Sequence, residues 1–248
     1  MSIVLPELPG ILNSLDEHEE KFQGESILLV RGDKETSEEL DLIEGTLRAV
    51  FSVVNGEKQT SADLLVIQMV GARLFNSVAV SLKLMLRGYY QASFAIQRDV
   101  VEIAFLLSYF AHQRNMVERW TTCSPRERQR LFGPAKIRQA LDKRNGLKNQ
   151  KRDKLYQAFC ELAAHPTYPG MRLLAPKGSV KLGPFLDRKY LRNCLWELSR
   201  FTTYAALQLF VLLPADQLST LETQLAFVDN ARNWWELQAA KKRMPPQT

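Results

Sequence analysis

Cysteine and histidine are scarce in this chain, with three of each among 248 residues. Cys123, Cys160 and Cys194 lie far apart and form no Cys-x-x-Cys pair. That excludes a zinc ribbon and argues against a disulfide framework, which needs an even set of cysteines. A reducing, cytoplasmic setting suits such a chain. So few thiols and imidazoles also leave no donor set for a dedicated transition-metal centre, and no metal is expected.

Several chemistry-bearing motifs are missing as well. The sequence has no Gly-x-x-x-x-Gly-Lys-Ser/Thr, Gly-x-Gly-x-x-Gly, His-Glu-x-x-His or Gly-x-Ser-x-Gly. Their absence argues against a P-loop, a dinucleotide fold, a zincin and a serine-hydrolase elbow. No cofactor is expected. The opening stretch MSIVLPELPGILNSLDEHEEKF lacks a basic segment followed by an apolar one, so a signal peptide is not expected. The longest charge-free apolar run, Phe201–Leu213, falls short of the roughly 20 residues that span a bilayer. No membrane partner is expected.

Polar–apolar alternation of period two is also rare. The one stretch that reads as a short strand or extended loop is SILLVR, Ser26–Arg31. Helical periodicity fills the rest. Leu8–Gln23 is an acidic amphipathic helix stopped by Gly24. A second helix starts at Thr36 or Ser37 as a cap and carries Leu40, Ile43, Leu47, Val50, Phe51 and Val54 on one side until Asn55-Gly56. Ser61–Leu86 is a long third helix striped by Leu64, Ile67, Gly71, Leu74, Val78 and Met85. Gly71 and Ala72 would let a neighbour approach closely. Arg87-Gly88 turns the chain into a fourth helix, Tyr89–Ala111, antiparallel to the third.

Shorter helical pieces follow at Asn115–Thr122, Pro125–Leu131, Pro134–Lys143 and Asp153–Ala164. Prolines at 166, 169, 176 and 184 and glycines at 170, 178 and 183 make His165–Pro184 an irregular loop. Loops of that length inside a domain are often functional. Leu186–Leu213 and Pro214–Arg243 close the chain as two long helices. In the last, Leu218, Leu221, Leu225, Val228 and Trp235 form a seam for a neighbouring or partner helix, and with Trp234 they suggest a homodimer surface. The reading is one all-α domain over 1–248, an antiparallel multi-helix bundle. Its core is 37–213, with helix 6–24 and helix 214–243 packed on it.

Three constellations are candidates for chemistry. Arg98 and Glu102 sit one turn apart on the apolar fourth helix, on the face that continues through Phe105 and Tyr109. A charge pair at least half buried there needs a reason. It is either a device that sets helix register or an arginine poised for a phosphate with Glu102 orienting it. If the pair is buried, removing Glu102 alone should destabilise by about 3–5 kcal/mol. Asp99 lies off that face, as a solvent or capping partner. His165 ends a helix at the mouth of the long loop, where it either caps a carbonyl or serves acid–base chemistry. His18 and His112 read as surface residues.

The third constellation is a run of charge. Between Arg126 and Lys154 there are eleven Lys/Arg and three acids, a surplus of eight, while the whole chain carries only +6. Arg126, Arg128, Arg130, Lys136, Arg138, Lys143, Arg144, Lys148, Lys151 and Arg152 are candidate contacts to a polyanion such as RNA or DNA. Aromatics are sparse, with Phe132 inside the run and Tyr156 after it, so base stacking has little support from the sequence. The alternative is a solvated face that meets the acidic Asp16, Glu17, Glu19 and Glu20.

The segments RGYYQASFAIQRDVVEIAFLLSYF and FCELAAHPTYPG, from about Leu64 to Pro169, carry a resemblance. An Arg-x-x-x-Glu helix followed by a His-Pro helix end resembles a bacterial and phage-associated all-helical family near the HEPN-like superfamily. The resemblance implies an all-α bundle in which Arg98, Glu102 and His165 converge. Active HEPN ribonucleases are metal-independent and use an Arg-x(4–6)-His motif, usually in a dimer. Here Cys160–Ala164 precede His165 without an arginine, so Arg98 would have to arrive from another helix. Arg98 would then hold the scissile phosphate while His165 moves a proton at the ribose 2′-OH.

Three functions are therefore expected in competition. The first is a nucleic-acid-associated module, in phage or mobile-element defence, that binds through 126–154. The second is a metal-independent ribonuclease. The third is a helical scaffold or regulator that grips a protein partner.

Overall fold

A computed structural model describes residues 9–56, 61–148, 150–213 and 221–243. Among them all regular secondary structure is helical, with no strand. Four long helices make the centre: α2 (Lys34–Gly56), α3 (Ala62–Leu86), α4 (Tyr90–His112) and α10 (Arg188–Val211). They pack on one another, α4 most extensively against α10 and α3. α1 (Gly10–Arg31) and α11 (Leu221–Arg243) lie outside this centre. The shorter α5 (Met116–Thr122), α6 (Pro125–Phe132), α7 (Pro134–Arg144), α8 (Lys151–Phe159) and α9 (Tyr168–Arg172) form a second layer, which reaches the centre mainly through α4. The antiparallel bundle expected from periodicity is present.

The expected core faces of α3 hold. Leu64, Ile67, Leu74, Val78 and Met85 are buried. Gly71 is the closest approach: a Cβ there would sit 3.0 Å from a Val54 methyl of α2 and 3.3 Å from a Leu209 methyl of α10. α3 is long and apolar enough to cross a membrane by length and composition. In the fold it is flanked by α2, α4 and α10.

Four expectations are corrected. Ser26–Arg31 is neither strand nor loop: α1 runs through Gly24 to Arg31. A helix-interior glycine costs about 1 kcal/mol against alanine. Ser26 and Val30, one turn apart, are both buried, and that packing outweighs the local preference. The cap of α2 is not Thr36 or Ser37 but Asp33, whose carboxylate accepts from Thr36 N–H at 3.1 Å. That bond holds the Asp33 carboxyl below its ordinary value. Thr36 instead donates to the carbonyl of Val30 at 2.8 Å, locking the α1–α2 corner.

The third correction concerns 165–184. A short helix, α9, forms inside it despite the prolines. Pro169 occupies the first turn, where no N–H is needed, and Thr167 accepts from Gly170 N–H at 3.1 Å. Gln91 of α4 donates to the Gly170 carbonyl at 3.1 Å, pinning the segment down. The fourth concerns the last helix, where Val228 of the expected seam packs partly against the core but other residues fill it. Its filled seam is Phe227, Ala231 and Trp234, all buried, with Trp234 at 5.2 Å from Trp196 and Phe227 at 5.5 Å from Phe210. This face packs within the chain, while Leu225 and Trp235 stay exposed. Leu218 and the side chain of Leu221 lie outside the described residues.

Candidate functional site

The second layer meets α4 through a polar cluster. Arg98 and Glu102 project from one face of α4, as their spacing predicts, and Arg98 Nη2 donates to Glu102 Oε1 at 2.9 Å. Their side chains are 35% and 28% exposed, so the pair is partly rather than fully buried. Tyr156 of α8 completes it. Its hydroxyl accepts from Arg98 Nε at 2.9 Å and from Arg98 Nη2, and donates to Glu102 Oε1 at 2.6 Å. Burial, and then the bond to the Glu102 carboxylate, push the Tyr156 phenol up to about 12. Tyr156 is therefore a neutral hydroxyl at any physiological pH. In the sequence Tyr156 stands out only as an aromatic after the basic run, not as a partner of Arg98. The usable signal was Arg152 one turn before it on a short helix rich in charge.

Behind Tyr156 lies Arg138 of α7, whose guanidinium stacks 3.9 Å from the ring centroid. Arg138 Nη2 and Nε donate to Asp153 Oδ1 at 2.8 and 3.1 Å. Its side chain is only 5% exposed, and its Nη1 is buried with no partner among the described residues. Asp99, expected at the surface or at a cap, instead bridges helices. It accepts from Arg73 Nη2 at 2.6 Å, from Arg73 Nε at 3.2 Å and from the Ser77 hydroxyl at 2.7 Å, all on α3.

These groups form the polar wall of a pocket of about 280 Å³ between α3, α4, α5, α6 and α7. Arg73, Asp99, Glu102 and Arg138 line that wall. Val70, Ile103, Leu106, Trp120, Phe132 and Ile137 line the apolar one. Each charge on the polar wall has a partner of opposite sign, so the wall has hydrogen-bonding groups and little net field. Glu102 Oε2 accepts no hydrogen bond among the described residues, because both incoming donors use Oε1. The Trp120 side of the pocket is braced by Arg128. Its Nε donates to the Trp120 carbonyl at 2.9 Å and its Nη2 to the Cys123 carbonyl at 3.1 Å. That caps the C-terminal carbonyls of α5, where a cation is favoured.

His165 is not hydrogen-bonded to this cluster. The chain passes through a π-turn at Cys160–Ala164 and leaves in extended conformation at His165. The residue is exposed, and its backbone N–H bonds the Cys160 carbonyl at 3.2 Å. Its ring has no hydrogen bond among the described residues. His18 and His112 are exposed, and each bonds the carbonyl one turn back, Ser14 at 2.6 Å and Ser108 at 3.0 Å.

The basic run divides in two. Arg138 is buried, and Arg152 is mostly so, pairing with Asp142 at 2.6 Å. Arg128 and Arg144 are tied to backbone carbonyls, the latter to Ser108 at 3.3 Å. Arg130 lies 3.9 Å from Glu127, which also pairs with Arg119. These five arginines of the run, all candidate polyanion contacts by sequence, thus have partners within the fold. Arg126, Lys136, Lys143, Lys148, Lys151 and Lys154 are exposed, and none has an ion-pair partner among the described residues. The acidic first helix does not neutralise them. Its Glu19 goes to Arg87 at 2.8 Å and Tyr89 at 2.9 Å, and α1 packs on α2, α3 and α10.

No family model, curated protein or solved structure matches the chain. No cluster of His, Cys, Asp and Glu suited to a metal ion occurs among the described residues.

Proposed function

We propose that this protein is a nucleic-acid-associated helical module that binds RNA or DNA through the outer face of α6, α7 and α8. The observation that carries this reading is the sorting of charge within 126–154. The three acids of the run are engaged by Arg138, Arg152 and the Arg119–Arg130 pair. Arg126, Lys136, Lys143, Lys148, Lys151 and Lys154 are left facing solvent on consecutive, mutually packed short elements. Like charges held together without counter-charges repel one another, and a polyphosphate relieves that repulsion by releasing its own counterions.

The test is retention of a short single-stranded RNA and a DNA duplex as salt is varied. Charge reversal at Lys136, Lys143, Lys148 and Lys151 should remove about four phosphate contacts and lower the single-strand salt slope by about 3. Equal retention by the reversed protein, with a protein co-purifying instead, would replace this reading with the scaffold. Metal-free cleavage lost in His165→Ala would replace it with the ribonuclease.

A further inference from the structure

We infer that the pocket between α3, α4, α5, α6 and α7 is a receptor for one unpaired nucleobase, inserted beside Trp120 with its polar edge against Glu102 and Arg138. The inference rests on the proposed nucleic-acid function and specifies which part of the polymer is recognised and where.

Four observations converge. The first is shape and lining. Trp120, Phe132 and Phe105 give the pocket aromatic surface, and Val70, Leu106 and Ile137 complete an apolar wall. Cavities that hold drug-sized ligands run from roughly 300 to 1,000 Å³. At about 280 Å³ this one suits a single ring system rather than a whole nucleotide. The second is electrostatic. Arg73 is paired with Asp99, Glu102 with Arg98, and Arg138 with Asp153. A wall balanced in that way favours a neutral ligand over a free ion.

The third observation is hydrogen-bonding capacity. Glu102 keeps Oε2 as an unused acceptor. Arg138 lines the same wall, and its Nη1 is a donor without a partner that lies just beneath the accessible surface, so a small shift of the guanidinium is needed to bring it to a ligand. An acceptor and a donor on one wall match an N–H beside a ring carbonyl, which is the edge that unpaired uracil or guanine presents. The fourth is position. Phe132, Pro134 and Ile137 of the pocket flank Lys136 in sequence, with Arg126 six residues before Phe132. A strand whose phosphates lie on the cationic face of α6 and α7 thus passes the pocket's own walls. Stacking of a base on an aromatic ring adds to such phosphate contacts with little dependence on salt.

The experiment compares a short single-stranded RNA with an abasic ribose-phosphate chain of the same length, across a salt series. Wild-type protein should bind the abasic chain about tenfold more weakly, with the same salt slope. Leu106→Trp fills the pocket and should bring the affinity for RNA down to that of the abasic chain, slope unchanged. Val70→Phe fills it from α3 and serves if the first variant loses its cooperative melt. In parallel, free nucleosides are titrated into protein carrying fluorotryptophan, and the Trp120 resonance, assigned with Trp120→Phe, should move.

Equal binding of both chains by wild type, with a steep salt slope, overturns the base pocket while the phosphate reading stands. Discrimination that survives Leu106→Trp and Val70→Phe overturns it too. A nucleoside-induced shift at Trp120 without binding of either chain supports the pocket and overturns the proposed function. Absence of both signals overturns both.

Discussion

The Tyr156 hydroxyl donates to Oε1 of Glu102 at 2.6 Å, across 54 residues of chain, and so fastens α8 to α4. Because Arg98 donates to both groups, the three side chains behave as one unit. Hydrogen bonds to a charged partner contribute roughly 1.5–3 kcal/mol. Tyr156→Phe is expected to destabilise by about 2 kcal/mol on that basis. Glu102→Ala should cost about 2–3 kcal/mol, below the range for a fully buried pair, because both charged side chains keep some contact with water. Chemical denaturation of the single and double variants checks this. The double variant should be less destabilised than the sum by about 1 kcal/mol, and simple additivity would dissolve the unit.

Arg138 offers a contrast between charge and volume. Its stacking on Tyr156 fills space that an aliphatic chain of similar length also fills. Its ion pair is with Asp153, which is 39% exposed and stays solvated if left alone. Arg138→Met should therefore change stability by less than about 1 kcal/mol. Arg138→Ala opens a cavity and should cost about 2–3 kcal/mol. Equal losses from both variants in urea denaturation would mean that the charge, not the packing, holds α7 in place.

Gly88 turns α3 into α4 at a φ of +90°, and a Cβ there would lie 2.5 Å from the Phe185 carbonyl oxygen. The turn is thus also the seat on which the segment before α10 rests. Gly88→Ala combines left-handed strain with that clash, and should cost about 2–3 kcal/mol. A thermal melt reads the loss. An unchanged midpoint would show that the 185–187 segment moves aside without penalty.

Alkaline stability should follow the tyrosines. Tyr156 and Tyr89 are each pushed up to about 12 from an ordinary 10.0, by burial first and then by Glu102 and Glu19 respectively. A value raised in the folded state means that folding favours the neutral phenol. The contribution is complete below about pH 10 and is lost as pH rises toward about 12. Circular dichroism alongside ultraviolet titration of tyrosinate should show unfolding across that window. Tyr156→Phe and Tyr89→Phe, less stable at neutral pH, should lose less of their remaining stability there. A variant that loses as much as wild type would exclude its tyrosine from the alkaline transition.

Periodicity alone accounts for the all-helical class, the antiparallel α3–α4 hairpin, the core stripe of α3 and the pairing of Arg98 with Glu102. Each depends on residues three to seven apart, and the 3.6-residue repeat places those on one face whatever the rest of the chain does. What occupies the other side of a face is not local information. Tertiary packing decided that Ser26–Arg31 continues a helix, because burial of Ser26 and Val30 outweighs the weak preference set by Gly24. It decided that Tyr156 joins Arg98, that Arg138 turns inward while Lys136 faces solvent, and that Trp234 packs on Trp196 within the chain. A charged or aromatic side chain reads the same in sequence whether a neighbouring helix covers it or water does, and only the meeting of distant segments settles which.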